Sequence, residues 1–255
     1  MRLEQWLPVV CCTAALSGPA AAADVRVLAT GVYESSLRDL VAPFKQQTDH
    51  NLILTVTNAG GVLAKLAAHE EADVVMTSSA GIDTLAGRGD VSAPTKVEVA
   101  RMRIGAAVKP SAAKPDLTSE TAFRAALLGA PAVAYIDPKG GGTSGAFFET
   151  MLTRLGIADA VHAKAVLCAT GSDVAVAVAS GKATIGLTQA SELVGAPGVA
   201  FAGFLPEDDN LTTLYAAAIT TKAQAPQAAA ALIGFVTGPT GTARLKKAGW
   251  DVGPR

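Results

Sequence analysis

Asp137-Pro-Lys-Gly-Gly-Gly-Thr-Ser-Gly145 is the segment of this chain that says most about its architecture. It follows a short run of strand-forming residues, 132–136, and leads into a helical pattern at 145–155. A strand that passes through glycines and hydroxyl residues into a helix leaves free backbone N–H groups at the positive end of the helix dipole. The segment therefore predicts an α/β unit that can bind an anion at this point. Taken alone, the same residues are equally consistent with an ordinary turn and an N-cap.

The first 23 residues have the pattern of a secretory signal. Arg2 precedes an apolar run, 6–16, and four alanines, 20–23, form a small-residue cleavage site. The apolar run is too short to span a bilayer, which makes a membrane anchor the less favoured interpretation. We therefore expect an exported protein whose mature chain begins at Asp24.

The composition excludes several classes of function. The chain has 21 basic and 22 acidic side chains, a formal net charge of −1, so nothing indicates nucleic acid or a membrane surface as a partner. Cys11 and Cys12 lie in the leader, which leaves Cys168 as the single thiol of the mature chain and excludes an intrachain disulfide. No Cys/His pair has metal-ligand spacing, so we expect no metal site and no cofactor.

Short β-branched runs alternate with helical patterns along almost the whole chain, which predicts parallel sheets covered by helices. Two such units and a late returning segment predict two lobes, residues 24–100 plus 212–255 and residues 101–211. The predicted strands are 25–29, 52–57, 73–77, 103–109, 132–136, 165–169, 184–189 and 214–220.

Nearly every predicted strand ends in Gly, Ser, Thr or Asn. In open parallel sheets ligands bind beyond the carboxyl ends of the strands, where small residues let a ligand approach backbone N–H groups. Turn formation and N-capping explain any single one of these loops equally well, but agreement among six loops favours a binding site. The loops are 30–34, 58–61, 78–79, 137–145, 170–173 and 189–191.

The motifs of common enzymes are missing. The segment 140–145 has neither the Gly-Lys-Thr/Ser of a phosphate loop nor the glycine spacing of a dinucleotide site. Ser144 is outside any Gly-x-Ser-x-Gly elbow, and no histidine follows a strand where it would serve as its base, which disfavours nucleophilic hydrolysis. Four residues remain as candidates for proton transfer in a cleft: Asp137, Asp173, Glu34 and Tyr33. Asp137 and Asp173 are favoured as turn and cap residues instead.

Segments spread over the chain together resemble the extracellular solute-binding proteins of the molybdate-binding type. The resemblance covers essentially all of the mature chain. It implies a type II periplasmic binding protein, in which two α/β lobes, each a mostly parallel sheet flanked by helices, close on a small anion. It also implies a monomer in the periplasm that delivers the anion to an ABC importer in the membrane. The matching segments are 25–30, 72–79, 135–138, 141–145, 185–189 and 232–239.

The resemblance further implies which residues bind the ligand. Where molybdate binders offer two serines and a tyrosine, this chain has Val32, the Asn58–Gly61 loop and Gln189. These groups favour a larger, flatter carboxylate ligand, to which Lys139 would add a cation. The implied ligand-binding residues are Gly31, Val32, Tyr33, Asn58, Gly60, Gly61, Ser78, Thr143, Ser144, Gly171, Ser172, Asp173 and Gln189.

One branch that resembles this family is enzymatic. Aconitate isomerase shifts a proton between two carbons, which requires a base beside an allylic carbon and electrostatic support for the carboxylates. Tyr33, Asp173 and Lys139 are the candidates for this chemistry. The leading hypothesis is a periplasmic solute-binding protein that binds a small anion, either an oxyanion such as molybdate or an organic carboxylate, between the two lobes. The alternatives are an aconitate isomerase and a secreted protein that contacts other proteins.

Overall fold

The structure, a computed structural model, describes residues 22–207 and 210–253. The predicted secretory signal therefore lies outside the described residues, except for its last two alanines. The strands are β1 Asp24–Thr30, β2 Asn51–Thr57, β3 Val74–Ser78, β4 Val97–Val108, β5 Val133–Ile136, β6 Ala165–Cys168, β7 Ile185–Gln189, β8 Ala200–Phe204 and β9 Thr212–Ile219. The helices are α1 Glu34–Thr48, α2 Ala59–Ala67, α3 Ser79–Gly87, α4 Glu120–Gly129, α5 Thr143–Arg154, α6 Ala158–His162, α7 Gly171–Ser180, α8 Pro226–Thr237 and α9 Pro239–Lys247.

Across the described residues the strands form one mixed sheet in the order β2-β1-β3-β9-β4-β7-β5-β6, with β8 also beside β4. The pairs β1–β2, β1–β3, β5–β6 and β5–β7 are parallel, as the alternating pattern predicts. Every pair that involves β4 or β9 is antiparallel. The prediction of parallel sheets is therefore incomplete, because the direction of a returning strand depends on distant partners rather than on its own pattern.

Strand β4 links two parts of the sheet. Its residues 97–103 pair with β9, and residues 104–108 pair with β7 and β8. It begins at Val97, six residues before the predicted start at 103, because this early part pairs with β9. We call β1, β2, β3, β9 and the first part of β4 the first half-sheet, and the other strands with the second part of β4 the second half-sheet.

Helices cover both faces of each half-sheet. Helices α1, α8 and α9 pack on one face of the first half-sheet, and α2 and α3 pack on the other. In the second half-sheet, α4, α5 and α6 cover one face and α7 the other. Fully buried aromatic rings such as Phe44 and Phe148 each contribute about 2–3 kcal/mol of hydrophobic stabilisation. No helix among the described residues has the length and apolar character needed to cross a membrane.

Candidate functional site

A cleft lies where loops of the two half-sheets meet. Its volume is about 30 Å³, which is room for one or two water molecules. The loops after β1, β2, β5, β6 and β7 all contribute to it, as expected for the carboxyl ends of parallel strands. The lining residues are Thr30, Gly31, Val32, Thr57, Asn58, Ala59, Ile136, Gly142, Thr143, Ser144, Thr170, Gly171, Gln189, Glu192 and Tyr215.

The glycine loop, residues 137–145, forms one side of the cleft. Gly141 has φ +74°, a conformation that favours glycine, and its carbonyl accepts a hydrogen bond from the Gly60 N–H at 3.2 Å. Helix α5 then starts at Thr143 with Gly142 as its N-cap, and no described side chain caps it. A Cβ on Gly142 would come within 2.6 Å of the Ile136 side chain, so only glycine lets this helix start so close to β5.

Gln189 ends β7 and points into the cleft. Gln189 is only 4% exposed, yet neither its amide oxygen nor its amide nitrogen has a hydrogen-bond partner among the described residues. Buried amides almost always have a partner, because leaving one unpaired costs about 1–3 kcal/mol. The Gln189 amide therefore has a free donor and a free acceptor at the position where a ligand would bind.

Glu192, which ends the short 3-10 turn after β7, also lines the cleft. The Thr188 hydroxyl donates to its carboxylate at 2.6 Å, and backbone N–H groups of Gln189 and Gly171 also donate to it. Its carboxylate occupies the space that a Cβ would fill at Gly31 or at Gly171. These four residues, Gly31, Gly171, Thr188 and Glu192, are here called the Glu192 pocket.

The pKa of Glu192 is raised from 4.5 to about 7. Burial is the largest cause, because it disfavours the charged form, and the nearby Glu34 carboxylate adds to the rise. The hydrogen bonds from Thr188 and the two backbone N–H groups act in the opposite direction. Glu192 therefore exchanges a proton near neutral pH, which few carboxylates do.

No other side chain of the described cleft lining titrates near neutral pH. Tyr215 is the second titratable residue, and burial together with the Glu192 carboxylate raises its pKa far above the usual value. The lining contains no lysine and no arginine within the described residues. The described residues also contain no group of three or more His, Cys, Asp or Glu that would hold a metal ion.

Comparison with known proteins shows which family this architecture belongs to. The model of the family described as bacterial extracellular solute-binding protein matches residues 25–251. The chain belongs to this solute-binding protein family. The resemblance predicted from the sequence segments is thus confirmed.

Individual relatives of this solute-binding protein differ in what their names describe. An aconitate isomerase from Pseudomonas sp is 29% identical over 229 residues, covering 88% of this chain and 86% of the relative. The periplasmic molybdate-binding protein of Azotobacter vinelandii has a TM-score of 0.75 at 21% identity, covering 91% of this chain and 100% of that one. The sulfate-binding protein SubI from Mycobacterium tuberculosis H37Rv has a TM-score of 0.70 at 16% identity, covering 91% and 88%. The two structures show the α/β fold of periplasmic binding proteins.

The structure of the solute-binding protein brings about half of the predicted ligand-binding residues into the cleft lining. The others lie outside the described lining, and three of them hydrogen-bond to other groups. Gly61 donates its N–H to the Asn58 side chain at 2.7 Å, Ser78 caps α3, and Ser172 donates to Glu34 at 3.2 Å. The predicted residues in the lining are Gly31, Val32, Asn58, Thr143, Ser144, Gly171 and Gln189.

The candidates for proton transfer predicted from the sequence all lie outside the described lining: Tyr33, Glu34, Asp137, Lys139 and Asp173. Tyr33 is fully buried and its ring packs 4.8 Å from that of Trp250, and burial raises the pKa of its hydroxyl well above the usual value. Asp173 forms a capping box with Thr170, the cap role that the sequence favours, and Lys139 is exposed. Asp137 likewise accepts the backbone N–H of Lys139 as a turn residue.

Sequence reasoning missed Glu192. The residue lies one turn beyond the end of β7, just outside the predicted loop 189–191. The available signal was an acidic residue directly after the predicted loop at the end of β7. Its importance depends on the two glycines beside it, which precede it in sequence by 161 and 21 positions (192 − 31 and 192 − 171).

Proposed function

We propose that this solute-binding protein binds a small organic carboxylate in a cleft between two lobes. The lobes are residues 24–100 plus 212–255 and residues 101–211, and they correspond closely to the two half-sheets. The unpaired amide of buried Gln189 is the observation that carries the proposal. Together with the uncapped N-terminus of α5, it offers the neutral donors that hold a carboxylate without a cation.

Closure of the lobes explains the small volume of the cleft. The Ser191 hydroxyl donates to the Val32 carbonyl at 2.7 Å, and the Gly60 N–H donates to the Gly141 carbonyl, so the half-sheets touch on two sides. A space of about 30 Å³ is too small for an organic acid, and we therefore expect the lobes to separate before the ligand enters. The predicted secretory signal would place the protein in the periplasm. By analogy with the family it would act there as a monomer that delivers the ligand to an ABC importer.

Isothermal titration of residues 24–255 with trans-aconitate, tricarballylate, molybdate and sulfate tests this function. Gln189→Leu should weaken carboxylate binding at least tenfold, because hydrogen bonds to a charged ligand contribute about 1.5–3 kcal/mol each. Gln47→Leu, at an exposed position outside the cleft lining, is the control and should bind normally. Absence of binding to every anion, or an unchanged affinity in Gln189→Leu, would contradict the proposal.

Isomerisation of aconitate is a second candidate function. It is favoured by the 29% identity with an aconitate isomerase over 88% of this chain and by the titratable carboxylate in the cleft. A binding protein leaves its ligand unchanged, whereas an isomerase converts it. A proton NMR time course with trans-aconitate distinguishes the two, because conversion to the cis isomer moves the vinylic signal.

A further inference from the structure

The position of Glu192 is poorly suited to anion binding alone. A carboxylate next to a bound anion repels it, and no lysine or arginine of the described lining compensates. The surroundings nevertheless hold a carboxylate at this place. Both Gly31 and Gly171 leave the space for it, and one hydroxyl and two backbone N–H groups donate to it. The Glu192 pocket is therefore a site built around an acidic side chain.

The other side chains of the described lining are unsuited to taking a proton from carbon. Thr, Ser, Asn and Gln side chains of the lining do not accept a proton from carbon at ordinary pH, and the Tyr215 hydroxyl titrates only far above neutrality. Tyr33, Asp173 and Lys139 lie outside the described lining. Glu192 is thus the one described lining group that can take up and return a proton.

Glu192 also lines a second cavity. It lines an outer groove of about 360 Å³, which Glu34, Ser35, Arg38 and Ser172 also border and which Gln189 does not. Glu34 faces Glu192 from α1 and is paired with Arg38 at 2.8 Å, and Tyr215 faces it from β9. The Glu192 carboxylate therefore lies between the cleft and water, which lets its proton exchange with solvent.

We infer that Glu192 is the catalytic residue of an allylic proton transfer on an unsaturated tricarboxylate bound in this cleft. The inference rests on the proposed carboxylate binding and on the second candidate function, isomerisation, and deepens them by naming the residue that transfers the proton. Its motivation is the built pocket, the absence of another base in the described lining and the access of this carboxylate to solvent.

The step balances without a further reactant. The ionised Glu192 carboxylate takes a proton from the CH₂ carbon of trans-aconitate, and the C–H electron pair forms a new C=C bond. The pair of the old C=C bond forms a C–H bond at the far allylic carbon, with the proton that Glu192 carries or has exchanged with water. Glu192 ends ionised, as it began. Charge that develops on the substrate carboxylates is stabilised by the α5 N-terminus and the Gln189 amide.

Hydrogen–deuterium exchange tests the inference. Residues 24–255 are incubated with trans-aconitate in D₂O, and proton NMR follows the CH₂ signal and the isomer. We expect deuterium in the substrate and conversion to the cis isomer. Glu192→Gln should lower both rates at least 100-fold, the contribution typical of a general base. Glu192→Asp keeps a carboxylate and should recover part of the rate.

A matched control and a binding measurement separate the possible failures. Glu149→Gln removes a carboxylate that pairs with His162 at 3.1 Å on the surface, and it should leave the rates unchanged. Titration calorimetry on the same samples should show that Glu192→Gln still binds trans-aconitate. Wild-type binding without exchange or conversion would overturn the inference and leave the proposed binding function intact. Unchanged exchange in Glu192→Gln would also overturn it, and absence of wild-type binding would overturn both.

Discussion

The glycine loop and the Glu192 pocket form two sides of one cleft and differ in chemistry. The glycine loop, 137–145, presents backbone N–H groups and two hydroxyls and carries no charged side chain into the cleft. In the Glu192 pocket a helix N-terminus is already occupied, since Gly171 of α7 donates its N–H to the Glu192 carboxylate. The first side therefore has free donors for an external anion, whereas the second holds an anion of its own. If the proposed function holds, the first side binds the ligand and the second transfers the proton.

The largest expected effect comes from narrowing the Glu192 pocket. In Gly171→Ala the added Cβ meets the Glu192 carboxylate and forces it out of position, so conversion of trans-aconitate should fall about 100-fold, approaching the loss expected for Glu192→Gln. Gly234→Ala is the control, because no atom lies within 4 Å of its Cβ position inside α8. It should keep full activity and gain about 0.5–1 kcal/mol of stability. Normal turnover in Gly171→Ala would show that the Glu192 pocket takes no part in the reaction.

A second prediction concerns stability rather than rate. Because the pKa of Glu192 is raised, the folded protein still holds this proton at a pH where the unfolded chain has released it. The free energy of unfolding therefore decreases as the pH rises from 4.5 to 7. Glu192→Gln cannot ionise and should be more stable than wild type by up to about 3 kcal/mol at pH 8. This corresponds to a melting temperature roughly 6–12 °C higher.

The difference should vanish at pH 4, where the side chain is protonated in both states. Differential scanning calorimetry at the two pH values measures it. Equal melting temperatures at pH 8 would show that Glu192 titrates normally in the folded protein.

The smallest predicted effect comes from the glycine loop. Replacing both Thr143 and Ser144 by Ala removes two lining hydroxyls but keeps the backbone N–H groups, so ligand affinity should fall about tenfold. The rate at saturating substrate should change less than threefold, because neither hydroxyl bonds to the Glu192 carboxylate and the Thr188 hydroxyl that does is kept. Titration calorimetry and initial rates measure the two quantities. A large loss of rate with normal affinity would reverse the roles assigned to the two sides.

Local sequence patterns predicted most of the fold. The alternation of strands and helices placed β1, β2, β3, β5, β6 and β7 within two residues of their ends, since each pattern depends on neighbouring residues. The early start of β4 was missed because its residues 97–102 face a partner more than a hundred positions later. Pairing of that kind leaves no local signal.

The site was predicted unevenly for the same reason. The loop before α5 is visible as a run of glycines and hydroxyls, and it does line the cleft. Tyr33 follows β1 just as Val32 does, but a 3-10 turn at Gly31–Tyr33 directs its ring into the core against Tyr215 and Trp250. Which of two adjacent residues faces a cleft depends on such distant packing.

A crystal structure of Glu192→Gln residues 24–255 with trans-aconitate tests the central claim most directly, since it shows both sides of the cleft at once. We expect ligand carboxylates on the first N–H groups of α5 and on the Gln189 amide. We also expect the ligand CH₂ carbon about 3–3.5 Å from the side chain at position 192. A ligand bound outside this cleft, or one whose CH₂ carbon faces away from position 192, would contradict the claim.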